Sequence, residues 1–128
     1  MTRKIGFMQG RLCDRVDGKI QAFPWRDWES EFPVAASIDL HLMEWTLDQE
    51  RLFENPLMTP DGQRTIKALC RQYGVSILSL TGDCFMQAPF WKFDAATRTK
   101  LQAEFLAIGC ACAEVGISMI VVPNRKSV

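Results

Sequence analysis

Strand-sized apolar runs alternate with helix-sized periodic segments along the whole chain, and that alternation restricts the fold more than any single residue does. Residues 4–9, KIGFMQ, form an apolar run closed by Gly10 and Arg11, as expected of a buried strand entering a loop. LHLMEWT at 40–46 predicts a second strand, with Leu40, Leu42 and Glu44 on one face and His41, Met43 and Trp45 on the other. Val75 to Thr81, stopped by Gly82, predicts a third, and ISMIVV, running into Pro123, a fourth.

Between the strands lie three helical patterns. The first is expected from Asp27, a side chain able to cap it, and buries Trp28, Phe32, Ala35 and Ala36. Pro33 conflicts with that start, because past the first turn it removes a backbone hydrogen bond at a cost of roughly 3 kcal/mol. Either the helix is kinked or it begins late. Ser37-Ile38-Asp39 also supplies no glycine for a left-handed closing turn. The second helix is the most legible element. Thr59 caps it, Pro60 takes its first position, Ile66, Leu69, Cys70 and Tyr73 repeat at helical spacing, and Gly74 ends it. Asp94 caps the third, which presents Leu101, Phe105, Ile108, Cys112 and Val115 before Gly116.

Strands joined by helices of this length imply a parallel sheet, whose apolar strands are expected to be buried on both faces. The order β-α-β-α-β-α-β corresponds to the first four strands of a (β/α)8 barrel. Such a barrel takes on the order of 250 residues, so 128 residues fit an N-terminal half, one partial α/β domain spanning 1–128.

Composition removes several classes. Lys plus Arg and Asp plus Glu both total 15, which gives nucleic acid no electrostatic grip. Residues 1–64 carry eight cations against eleven anions and residues 65–128 seven against four, a mild asymmetry. No apolar stretch has the length of a membrane span or of a signal peptide. The cysteines, Cys13, Cys70, Cys84, Cys110 and Cys112, are odd in number and lack CxxC spacing, so a reduced, cytoplasmic chain is expected. Cys110 and Cys112 diverge by about 200° on a helix and cannot share a metal or a disulfide. All five read as small buried hydrophobes; Cys84 would be reactive only with a stabilised thiolate.

The segments GFMQGRL (6–12), IQAFPW (20–25), MEWTLD (43–48), NPLMT (55–59) and SLTGDCFMQAP (79–89), in that order, resemble the sugar phosphate isomerase and epimerase family, the barrels related to xylose isomerase. In that family a divalent metal polarises an open-chain sugar while carboxylates move the proton beside the carbonyl, since that proton is too weakly acidic without an electrophile on the oxygen. The resemblance implies metal ligands in the second half of the barrel, so none is expected here. It implies a sugar or sugar phosphate as the small-molecule partner of full-length relatives, and an inactive chain in isolation.

Barrel sites lie at the C-terminal ends of the strands. The resemblance therefore implies substrate contacts from Gln9, Arg11, Glu44, Thr81, Asp83 and Asn124, with Trp25, Phe85 and Phe90 walling the cavity. Bland roles stand beside these. Glu44 could pair with Arg11 or Lys126, Asp83 could cap a turn, and the aromatics of 23–28 could dock on the barrel instead of a sugar. His41, at the N-terminal start of its strand, reads as structural.

Two further readings compete. A half-barrel leaves its edges and interior face open, so it could self-associate or dock on a complementary half as a non-catalytic module. Apurinic-site endonucleases of the same superfamily need several histidines for a zinc cluster, which one histidine cannot supply.

Overall fold

The computed structural model describes residues 5–16, 18, 22–88 and 94–122. Within them the chain runs β1 (Gly6–Met8), α1 (Glu31–Ser37), β2 (Leu42–Thr46), 3-10 turns at Leu52–Glu54 and Pro56–Met58, and α2 (Pro60–Tyr73). It continues through β3 (Ser76–Thr81), the short α3 (Asp83–Gln87), α4 (Ala95–Val115) and β4 (Met119–Val121). All four strands are parallel and lie in sequence order, β1-β2-β3-β4. The fold is α/β with an all-parallel sheet.

Local chemistry explains the boundaries. Thr59 Oγ1 accepts from the Gly62 amide at 3.0 Å, Pro60 fills the first turn, and Gly74 closes α2 at φ 66°. Gly62 has a second duty. A Cβ there would lie 2.1 Å from the Pro56 carbonyl oxygen, so α2 can meet the preceding turn only through a glycine. Asp94 accepts from the Thr97 amide at 2.8 Å to start α4, which ends at Gly116.

The first helix starts late rather than kinking. Residues 25–30 form turns, and helix begins at Glu31, which puts Pro33 in the first turn, where its missing N–H has no intrahelical partner to lose. In place of a glycine, Asp39 takes the left-handed conformation at φ 61°, and the Asp39 and Leu40 amides donate to the carbonyls of Ala36 and Ala35. The 3-10 turns and α3 were not legible in the apolar pattern.

Helices α1, α2 and α4 pack in succession on one face of the sheet around Met43, Trp45, Ile77 and Leu80. Trp45 is the hub of this core. Its ring lies 5.6 Å from Phe23 and 5.8 Å from Trp28, and its Nε1 donates to Asn55 Oδ1 at 3.1 Å. Asn55 Oδ1 also accepts from the Leu57 amide, so one buried side chain satisfies the indole and pins the second 3-10 turn.

The expectation that the strands are buried on both faces does not hold. Leu42 and Glu44 are only half-buried, while Leu78, Met119 and Val121 are 43%, 59% and 46% exposed. The described helices α1, α2 and α4 pack on the opposite face, and Leu42, Glu44, Leu78 and Met119 line an open concavity of about 380 Å³ with Gly6, Met8 and Ser79. A bulge deepens the asymmetry. Met43 partners Ile77 and Glu44 partners Ser79, so Leu78 is the extra residue, turned out of the ladder on the uncovered side. Among the described residues no helix is long and apolar enough to cross a membrane.

Candidate functional site

The C-terminal ends of the strands are knitted together by backbone and side-chain hydrogen bonds. Gln9, just past β1, is 1% exposed; its amide donates to the Glu44 carbonyl and its Oε1 accepts from the Thr46 amide, both at 2.9 Å. Because Oε1 faces a donor, the orientation of the side-chain amide is fixed, and Nε2 is left buried without a partner among the described residues. On the β3 side, the Leu47 amide donates to the Thr81 carbonyl, the Cys84 amide to the Leu47 carbonyl, and the Gly82 amide to the Val121 carbonyl. A Cβ at Gly82 would meet the Phe85 ring at 2.3 Å, so the turn that ends β3 needs glycine to seat that ring.

The sequence-derived site residues fall into two groups. Gln9, Thr81, Asp83 and Phe85 gather at the strand ends, but each is covered by the chain's own loops and α3. Asp83 is the first residue of α3, and Phe85 packs 5.1 Å from Phe105. Arg11, Trp25 and Glu44 remain accessible. The Arg11 guanidinium approaches Met8 Sδ at 3.9 Å. Trp25 meets Phe23 edge to face at 4.8 Å, and the Arg51 guanidinium sits 3.8 Å from the centre of its ring. Phe23 and Trp28 are buried, so those two aromatics dock on the fold. Of the described members of the set Glu44 alone lines the uncovered sheet face, and no hydrogen bond or ion pair engages its carboxylate among the described residues. Asn124, Phe90 and Lys126 lie outside the described residues.

Two carboxylates that organise this end carried no sequence signal beyond their charge. Glu31 is fully buried, and its oxygens accept from the Gly10 amide at 2.9 and 2.8 Å and from the Leu12 amide at 3.1 Å. Burial pushes its pKa above the usual carboxylate value, and the two amides pull the other way. Asp48 accepts from the Phe23 amide at 3.0 Å and from Gln87 Nε2 at 3.1 Å, joining the loop after β1 to α3. Both hold loop backbone in place.

The cysteines are all free thiols. Burial pushes the Cys84 thiol up to about 12 and Cys70 and Cys112 to about 11, so these stay protonated at neutral pH. Cys13 reaches about 11 through partial burial and the nearby Glu31, Asp27 and Asp14 carboxylates. Cys110 departs from the buried expectation and is exposed on α4. His41 Nε2 lies 2.7 Å from Asp39 Oδ1 and its Nδ1 3.0 Å from the Gly74 carbonyl, a clasp at the opposite end of the sheet from the candidate site. No group of three or more His, Cys, Asp or Glu side chains is placed to hold a metal ion among the described residues, so no step of metal chemistry is assigned to them.

Compared with known proteins, the chain matches no protein-family model, no curated protein and no solved structure.

Proposed function

We propose that the chain is the strand-one-to-four arc of a (β/α)8 barrel of the sugar phosphate isomerase and epimerase kind, and that it contributes cavity wall rather than reacting groups. One observation carries this reading: among the described residues four parallel strands stand in sequence order with α1, α2 and α4 on one face. Doubly wound sheets reverse their strand order to place helices on both faces, whereas a barrel never does. On this reading the uncovered face is the barrel interior, Glu44 is the polar group that looks into it, and Gln9, Thr46, Thr81 and Asp83 support the loops above.

The test is solvent exchange at the carbon beside the carbonyl of ketose and aldose phosphates. Purified protein with a divalent cation in deuterium oxide is expected to incorporate no deuterium by NMR, and incorporation would overturn the assignment to wall alone. Two-dimensional NMR titration with the same sugar phosphates supplies the positive arm. Shifts grouped on Arg11, Trp25 and Glu44, the accessible members of the set, are expected at millimolar ligand. An unchanged spectrum would remove the sugar from the reading.

The exposure of Leu78 and Met119 favours a second role, docking of another polypeptide on the inner face. Nile red should brighten on the folded protein and lose most of that signal in the L78S/M119S double variant. Failure to brighten would remove this role.

A further inference from the structure

The uncovered sheet face carries one charge, Glu44, and beside it one hydroxyl, Ser79, among otherwise apolar side chains. Leu42, Leu78, Met119 and Met8 surround Glu44, whose carboxylate has no hydrogen-bond or ion-pair partner among the described residues. Any polypeptide that seats on this face removes water from that carboxylate, and a desolvated charge is tolerated only when paired. Arg51, the nearest cation in sequence, lies over the Trp25 ring, the Arg11 guanidinium approaches Met8 Sδ, and none of the ion pairs of the described residues lies on this face. Among the described residues no cation on this face meets that carboxylate, so an occupant that carries one is favoured.

We infer that the inner face selects a partner presenting a lysine or arginine amid apolar side chains, and that Glu44 is the residue that reads it. The inference rests on the docking role proposed above. The alternative occupant, a second copy of the chain, brings a second Glu44 and no cation from the same face, so like charges would be enclosed together. A complementary βα unit with one basic residue on its inner strands satisfies both features. Its apolar side chains fill the concavity over Leu42, Leu78 and Met119, and its cation meets Glu44. Among the described residues the two outer strands, β1 and β4, are each paired on one side only, so such a unit could also continue the ladder at either edge.

The test uses octylammonium and 1-octanol, which share a tail and differ in head group, titrated into the protein and followed by NMR shifts of the methyl groups of Leu42, Leu78 and Met119. Octylammonium is expected to bind about fivefold more tightly than octanol, the size of a half-exposed ion pair. Glu44→Gln is expected to remove that preference while octanol binding persists. Equal affinity of the two probes for the wild type, or a preference that survives in Glu44→Gln, would overturn the inference. So would a wild-type dimer by light scattering whose interface, mapped by the same methyl shifts, includes Glu44. These failures are separate from failure of the docking role, since Nile red reports an accessible apolar face whatever its charge preference.

Discussion

The two faces of one sheet have opposite fates. Met43, Trp45, Ile77 and Leu80 point to the helices and are nearly or completely buried, whereas Leu42, Glu44, Leu78 and Met119, interleaved with them, face an open concavity. The residue types on the two sides are similar, so hydrophobicity alone does not decide which side the helices cover. Connection geometry does. Each crossover joins adjacent parallel strands with the same hand, which lays α1, α2 and α4 on one side. The covered face stores the stability, and the open face is left available for contact.

The comparison breaks most severely at Trp45. Trp45→Ala deletes the hub of the aromatic cluster and takes one of two donors from Asn55 Oδ1, and is expected to cost about 3–5 kcal/mol in urea unfolding. A loss below about 1 kcal/mol would mean that the covered face does not carry the stability assigned to it. Glu31→Ala should follow, at about 2 kcal/mol, because it leaves the Gly10 and Leu12 amides without their acceptor. Glu31→Gln retains one oxygen and should recover part of the loss. If the two variants are equally stable, the carboxylate is not what holds the turn after β1.

The open face sharpens the comparison from the other side. Leu78→Ser and Met119→Ser remove large apolar side chains from the same sheet, yet each should change unfolding free energy by no more than about 0.5 kcal/mol. A cost like that of a core truncation would show that this face is covered in solution, and light scattering on the same samples would then report the mass of the covering species.

What the sequence made legible follows from how local each signal is. The second helix was readable to the residue, because Thr59, Pro60 and Gly74 act through backbone within one turn of the boundary. The late start of α1 was half-readable: Pro33 excluded a continuous helix from Asp27, but the choice of Glu31 depends on Gly10 and Leu12 amides some twenty residues away. Alternation in β2 correctly separated Leu42 and Glu44 from Met43 and Trp45, yet could not say which set the helices would cover. The strand-end residues were located by position, but their cover was not, since Asp48 and α3 close over them through long-range bonds. ISMIVV reads as a strand buried on both faces, and only three of its residues are strand because a single neighbour, β3, pairs with it.

The smallest expected effect lies at the N-terminal end of the sheet and tests whether that end is structural. Asp39 and the Gly74 carbonyl both favour protonated His41, raising its pKa above the usual 6.5. A group whose folded pKa lies above its unfolded value contributes stability that is complete below the unfolded value and is lost as pH rises through the folded one. Wild type should therefore exceed His41→Gln in denaturation midpoint at pH well below 6.5, and the gap should close as the pH passes above the raised value. The pair is exposed, so salt should shrink the gap as well. A gap independent of pH would mean that His41 acts through packing on the Gly74 turn. In either case sugar phosphate titrations at the far end of the strands should be unchanged by His41→Gln, because the clasp and the candidate site sit at opposite ends of β2.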